Sequence, residues 1–244
     1  MRGLFSRPAG EPEREQHHRV YAVGDVHGRL DLLQILLDKI LEDAASVPTT
    51  NSLVFVGDYI DRGPDSRGVV ELLSHPLEGF ETYCLRGNHD QALLDFLEEP
   101  ASYRRWKRFG AAETLLSYGV EPPSDDENSI ELARDELAER IPETHLQFFR
   151  ELQSHVQIGN YHFVHAGARP GVALEDQSLE DMMWIRNEFL ESEEDFGKIV
   201  VHGHTPTDRP VCRPNRIGID TGAFATNCLT AVVLDGPGIR FLQT

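Results

Sequence analysis

Six residues able to ligate a metal, Asp25, His27, Asp58, Asn88, His165 and His204, fall within five short glycine-flanked motifs. The motifs read Gly24-Asp25-Val26-His27-Gly28, Gly57-Asp58-Tyr59-Ile60-Asp61-Arg62-Gly63, Gly87-Asn88-His89-Asp90, His165-Ala166-Gly167 and Gly203-His204-Thr205. Glycine lets a backbone turn tightly beside a metal or a phosphate. Carboxylate, amide and imidazole ligands together suit a divalent ion of intermediate hardness. One such motif carries little weight, because Gly-Asp after a strand is often only a turn and a lone histidine is more often structural. Five in this order point to hydrolysis of a phosphoester at a pair of metal ions. A carboxylate can bridge two cations ~3.5–4 Å apart, and a water shared between them loses a proton near neutral pH. That chemistry needs no serine or cysteine nucleophile, and none stands out.

The motifs are far apart along the chain, so secondary structure must gather them. Val20–Val23, Leu53–Val56 and Phe80–Leu85 are short apolar runs, each ending at one of the first three motifs. Between and after them, Leu30, Leu33, Leu37, Ile40 and Leu41, then Val69, Val70, Leu72 and Leu73, then Ala92–Leu97, recur at helical spacing. Three β-α repeats favour parallel strands with right-handed crossovers. Ligands of parallel α/β sheets bind beyond the carboxyl ends of the strands. Asp25 with His27, Asp58 and Asn88 all lie at such ends. From about residue 103 to 153 the pattern is helical, interrupted by a Pro/Ser/Asp-rich loop at Glu121–Asn128, and holds no ligand motif. It reads as a helical insertion flanking the site. Strands return at Tyr161–Val164, Ile199–Val201, Ile217–Ile219, Thr230–Leu234 and Ile239–Leu242, and the short turns among them predict a largely antiparallel second half.

With 244 residues the chain can bury a full core. The ligand motifs span it, so residues 20–244 are expected to form a single domain. Residues 1–19, with Arg, Glu, Pro and two His, lack the apolar centre of a signal peptide and predict a disordered tail on a cytoplasmic protein. No apolar run approaches the ~18 residues of a membrane span. Cys84, Cys212 and Cys228 are too few for a disulfide framework and are expected to be buried free thiols. A formal charge of −18 argues against a surface that coats nucleic acid. It does not exclude a small anionic substrate, since two divalent ions can reverse the local sign. Nothing in the pattern sets an oligomeric state.

The motifs resemble the phosphoprotein phosphatase branch of the calcineurin-like metallophosphoesterases, and among these the compact bacterial and phage-type serine/threonine phosphatases. The resemblance spans roughly residues 20–235 and extends to Trp184-Ile185-Arg186 and Asp220-Thr221-Gly222-Ala223. It implies a four-layer α/β/β/α sandwich with two mixed sheets, helices outside and the helical insertion at about 103–153. It implies that Asp25 and His27 hold one metal, that Asp58 bridges both, and that Asn88, His165 and His204 complete the second. The ions would be Mn²⁺ foremost, with Fe or Zn²⁺ as alternatives. His89 resembles the general acid that protonates the leaving oxygen, Asp61 its partner, and Arg62 and Arg186 the two phosphate clamps.

Two departures bear on the substrate. Pro206 stands two residues beyond His204, so the second imidazole of the broader Gly-His-x-His pattern is missing, as it is in the phosphoprotein phosphatases. Asp90 stands where most protein phosphatases have Glu, and Gly-Asn-His-Asp is common in symmetrical diadenosine tetraphosphatases. Those enzymes usually have Ala in place of Asp61 and an aromatic in place of Thr205. The expected activity is hydrolysis of phosphoserine or phosphothreonine in proteins, or of a small phosphoester. Symmetrical diadenosine tetraphosphatase, another dinucleoside polyphosphate hydrolase or a capped-RNA hydrolase is the alternative. Nucleic acid enters only as such a capped end, and no membrane is involved.

The remaining candidates read as ordinary structure. His17 and His18 fall in the tail, and His75, His145, His155 and His162 read as surface or packing residues. His202 could share a strand face with His204 and support it. The cluster Arg104, Arg105, Lys107 and Arg108 around Trp106 reads as a solvated helix face, with docking of substrate anions as the alternative. Glu191–Asp195 reads as a solvated loop. Asp125, Asp126 and Glu127 lack the glycine and spacing of a calcium loop.

Overall fold

A computed structural model of the chain describes residues 18–46, 50–236 and 238–244. The β-α rhythm appears as β1 (His18–Val23), α1 (Leu30–Ala45), β2 (Thr50–Phe55), α2 (Ser66–Leu73), β3 (Glu81–Cys84) and α3 (Asn88–Glu98). The insertion holds α4 (Tyr103–Trp106), α5 (Ala111–Ser117), α6 (Glu127–Arg140) and α7 (Glu143–Glu151). The second half follows as β4 (His155–Ile158), β5 (Tyr161–Val164), α8 (Leu179–Trp184), α9 (Asn187–Leu190), β6 (Ile199–His202), β7 (Val211–Cys212), β8 (Arg216–Gly218), α10 (Ala223–Thr226), β9 (Thr230–Asp235) and β10 (Gly238–Gln243).

Two five-stranded sheets result, in the orders β10-β9-β1-β2-β3 and β4-β5-β6-β8-β7. Both are mixed. In the first, β1-β2 and β2-β3 are parallel, while β9 runs antiparallel to β1 and to β10. Alternation along each strand divides the core. Val20 and Ala22, Val54, Val232 and Leu234 meet Phe163, Val201 and Ile217 between the sheets. Tyr21 and Val23, Leu53 and Phe55, Ala231 and Val233 face the helices of the first layer. A third cluster packs Val164 and Val200 under Met182, Ile185 and Phe189 of the α8–α9 region. Three apolar cores between four layers give the α/β/β/α sandwich. Strands covered on both faces explain the unbroken apolar runs of β1 and β9.

Two expectations are corrected. Residues 1–17 lie outside the described residues, but His18 and Arg19, assigned to the tail, open β1 instead. Arg19 is buried there because Asp43 and Asp235, at 3.0 and 2.6 Å, take up its charge. The second half is largely antiparallel, in β4-β5, β7-β8 and the β9 pairings, while β5-β6 and β6-β8 are parallel. The crossover between β5 and β6, carrying α8 and α9, covers the outer face of that sheet and permits the parallel pair. None of the three free cysteines is fully buried, and Cys212, on the two-residue edge strand β7, is exposed. Among the described residues no helix is long and apolar enough to cross a membrane.

Candidate metal and phosphoester site

Each motif occupies the turn that follows a strand. Asp25 and His27 follow β1, Asp58 follows β2, Asn88 opens α3 just after β3, His165 follows β5 and His204 follows β6. The turns are tied to one another by backbone bonds. The Val26 and His27 N–H groups donate to the Asp58 carbonyl at 3.1 and 2.9 Å, and the Gly203 N–H donates to the His165 carbonyl at 2.8 Å. Among the described residues, the non-glycine positions with positive φ are His27, Asp58, Asp61, Arg62, His204 and Asn227. Five of these six belong to the predicted site. Such conformations cost free energy and persist where surrounding contacts fix them, which happens preferentially at functional sites.

Ligand atoms of His27, Asp58 and His89 lie within 4.8 Å of one another, and so do those of Asp58, His165 and His204. Asp58 is common to both groups. Asn88 joins the second through its Oδ1, 3.0 Å from His165 Nε2. Asp25 belongs to neither group; its carboxylate accepts the His204 N–H at 3.0 Å.

Hydrogen-bond partners fix which nitrogens carry protons. His27 Nδ1 donates to the Ile60 carbonyl at 2.8 Å and His165 Nδ1 to the Val56 carbonyl at 2.9 Å. Their Nε2 lone pairs therefore point inward. His165 Nε2 faces Asn88 Oδ1 at 3.0 Å, His204 Nδ1 at 3.1 Å and Asp58 Oδ2 at 3.4 Å. Protonating the imidazoles would relieve these acceptor pairs, but burial pushes His27 down to about 3 and His204 down to about 2, and lowers His165 as well. Burial, then the charges of Asp220 and Asp58, push Asp25 well above the usual carboxylate range. The inward lone pairs of His27 and His165, the buried and unpartnered His204 Nε2, Asn88 Oδ1 and the crowded carboxylates form a donor set that fits divalent cations. Glycine completes the cradle: a Cβ on Gly87 would fall 2.0 Å from Asp58 Oδ1, and one on Gly203 2.0 Å from Asp25 Oδ1.

His89 stands in the first turn of α3, its N–H donating to Asp58 Oδ1 at 3.0 Å. Its Nδ1 donates to Asp61 Oδ2 at 2.7 Å. Burial lowers the His89 pKa, but the Asp58 charge and the Asp61 bond outweigh it and leave the imidazole above its ordinary value. Arg62 lies across the site, its Nη1 3.1 Å from His27 Nε2 and its Nη2 3.1 Å from His89 Nε2, with the guanidinium 4.7 Å from the Phe224 ring centroid. Arg186 is exposed at the rim and reaches the Thr205 hydroxyl at 3.4 Å.

Several further side chains take places here that the sequence pattern did not assign to them. Asp90 is fully buried, and its carboxylate accepts the N–H groups of Asp58 (2.9 Å), Tyr59 (3.0 Å) and Gly87 (2.9 Å). It clamps the second motif onto the third and has no exposure to the cleft. Asp220 is a further buried carboxylate, pushed up to about 6 by burial. The basic cluster is not uniform. Arg104 and Lys107 turn to the Asp125 loop, whereas Arg105 stacks 4.5 Å over the Trp184 ring. Phe109 bridges His89 and Trp184, with centroids 5.3 and 5.5 Å away. Trp106 at their centre is buried and faces Asp61. His202 is buried, and its Nδ1 meets the Gly203 carbonyl at 3.1 Å rather than the cluster. His145 bridges Tyr118 and Glu71 as a packing residue, and Asp126 caps α6.

The chain is 27% identical over 247 residues, covering 91% of each chain, to a protein of Halalkalibacterium halodurans named asymmetrical bis(5'-nucleosyl)-tetraphosphatase PrpE. Over 83 residues it is 42% identical to serine/threonine-protein phosphatase 1 of Salmonella typhimurium, covering 34% of this chain and 35% of that one. A solved structure described as a putative diadenosine tetraphosphatase superposes with a TM-score of 0.62 at 24% identity, covering 94% of this chain and 95% of the other, and so shares the fold. The model of the Calcineurin-like phosphoesterase family matches residues 18–229, and with strand-end motifs gathered around Asp58 the chain belongs to that family.

Proposed function

We propose that the chain is a metal-dependent phosphomonoesterase acting on phosphoserine or phosphothreonine in proteins. Asp25, His27 and Asp58 would hold one divalent ion, and Asp58, Asn88, His165 and His204 the other. When bound, the ion pair supplies Lewis acidity and a nucleophilic water at neutral pH. The remaining work falls to the chain's own side chains. His89 gives a proton from Nε2 to the leaving oxygen while Asp61 holds its Nδ1–H. Arg62 leaves the two imidazoles for the phosphoryl oxygens, with Phe224 guiding its guanidinium, and Arg186 closes from the rim. Guanidinium forks match phosphate oxygens in bidentate geometry.

The observation that carries the protein substrate is the 2.7 Å His89–Asp61 pair. A serine or threonine alkoxide is a strong base and a poor leaving group, so it gains most from a positioned acid, typically ~10²–10⁴ in rate. A nucleotide phosphate leaves as a weak base and gains little. Relatives support a second reading, hydrolysis of a dinucleoside polyphosphate: two that align over most of the chain are named asymmetrical tetraphosphatases, rather than the symmetrical enzymes the Gly-Asn-His-Asp motif suggests. Trp184 and Phe224 at the rim offer faces on which a base could stack. The deciding experiment compares kcat/KM for a phosphothreonine peptide and for diadenosine tetraphosphate with the same Mn²⁺-loaded protein. The peptide is expected to lead; a lead of about tenfold for the tetraphosphate overturns the protein substrate and leaves the dimetal reading in place.

A further inference from the structure

Asp61 has more partners than its histidine. Its Oδ2 accepts the Trp106 indole N–H at 2.9 Å as well as His89 Nδ1–H at 2.7 Å. Its Oδ1 accepts the Thr114 hydroxyl at 2.6 Å. The same Thr114 oxygen accepts the Asp61 backbone N–H at 2.9 Å and lies 3.0 Å from the Ser66 hydroxyl. Asp61, Trp106 and Thr114 are all buried, and Asp61 itself sits at φ 72°, in the left-handed region. Trp106 ends α4 and Thr114 lies in α5, so both donors come from the insertion, which supplies none of the predicted ligands.

These bonds restrict the carboxylate. Each oxygen has a side-chain donor that is neutral and cannot compete for the proton of His89. A turn of the Asp61 side chain about its axis would break the Trp106 and Thr114 bonds together and leave two buried donors unpaired, which is costly. The carboxylate plane is thereby fixed toward His89 Nδ1, which fixes the imidazole tautomer and aims Nε2 at the cleft. We propose that Trp106 and Thr114 are positioning residues that make the helical insertion part of the proton-donating apparatus, acting through Asp61 on His89. This rests on the reading of His89 as the acid for the leaving group.

The test uses Trp106→Phe, which removes the indole N–H together with part of the ring, and Thr114→Val, which keeps shape and removes the hydroxyl that both donates to the carboxylate and accepts the Asp61 N–H, with Thr114→Ser as the variant that keeps the hydroxyl. Turnover of a phosphothreonine peptide and of p-nitrophenyl phosphate, whose leaving group barely needs a proton, is measured for each at equal metal loading. The expected result is a loss of about tenfold or more in kcat on the peptide and under about threefold on p-nitrophenyl phosphate, a part of the ~10²–10⁴ that a positioned acid contributes. KM should change little, and Thr114→Ser should recover the peptide rate. A second readout needs no activity. The chain has two tryptophans, and in metal-free protein the indole N–H resonance of Trp106 should move on Asp61→Asn while that of Trp184 stays.

His89→Asn separates the two levels. If it loses rate equally on both substrates, the acid reading fails and this inference fails with it. If it shows the split while Trp106→Phe and Thr114→Val lose equally on both substrates or lose nothing, only the positioning inference is overturned. An indole resonance of Trp106 indifferent to Asp61→Asn overturns the Trp106 part by itself.

Discussion

Gly87→Ala is the sharpest perturbation of the proposed metal site, because its cost is purely steric. Gly87 has φ −91° and ψ 169°, a conformation alanine adopts freely. Closeness is what demands glycine there. A Cβ would stand 2.0 Å from Asp58 Oδ1 and 2.4 Å from the Asp58 backbone nitrogen, whereas real Cβ contacts are not found below 3.0 Å. The carboxylate oxygen must therefore recede by about 1.0 Å and the backbone by about 0.6 Å. Neither has slack, since Asp58 N is bonded to Asp90 and Asp58 Oδ1 to the His89 N–H. Metal–ligand distances tolerate about ±0.2 Å, so the bridging ligand leaves its range. Divalent-ion affinity should fall by about 100-fold or more, beyond what loss of an outer partner of a ligand costs. Overpacking of this kind costs ~1–3 kcal/mol, so the melting temperature of the metal-free protein should drop by roughly 2–12 °C. Calorimetric titration with Mn²⁺, run where the variant is folded by circular dichroism, reads the affinity directly. Two ions bound with unchanged affinity would refute the argument that Asp58 bridges them from this position.

Two further outcomes follow from the surroundings of the site. Arg105→Glu should raise KM for extended anionic substrates and leave p-nitrophenyl phosphate nearly unaffected, while Arg104→Glu, whose side chain faces the Asp125 loop, should do neither; equal effects of the two in steady-state kinetics would contradict the placement. His162 is buried, neither ring nitrogen has a hydrogen-bond partner among the described residues, and burial pushes it down to about 4. Its folded pKa lies below the unfolded ~6.5, so the unfolded chain binds the proton first and stability is lost as pH falls from about 6.5 toward 4. His162→Leu should recover about 1–2 kcal/mol at pH 5 and little of that difference at pH 8, read from urea unfolding of the metal-free protein at both pH values; an equal change at the two would rule out the protonation argument.

Much of the first sheet was legible because its strands are covered on both faces. Val20–Val23 and Leu53–Phe55 serve two cores at once, so they read as unbroken apolar runs, and the helices between them demand parallel pairing. In the second sheet β5 and β6 have four residues each and β8 three, too short to show a period, and their direction is set by where α8 and α9 pack. The ligand candidates were legible for a local reason: each sits within a few residues of a glycine at a strand end. Trp106 and Thr114 were not. They meet Asp61 across 45 and 53 residues, and no spacing rule links an insertion helix to a strand-end carboxylate at that distance.

Asp90 shows why a motif letter has to be weighed by what the side chain touches. As a sequence feature it stands for the dinucleoside polyphosphate enzymes, against Asp61 and Thr205. In the fold its carboxylate is spent on three backbone N–H groups, with Gly87 and Asp58 pressed against it, so its length is matched to the gap between two turns. A residue with no surface in the cleft cannot discriminate substrates by contact. Thr205 does border the cleft, holding Arg186 at 3.4 Å, and Asp61 holds the imidazole that faces it. Of the two discriminators shared with the protein phosphatases, Thr205 borders the cleft and Asp61, as buried as Asp90, acts only through His89, while Asp90 reports how a loop is clamped.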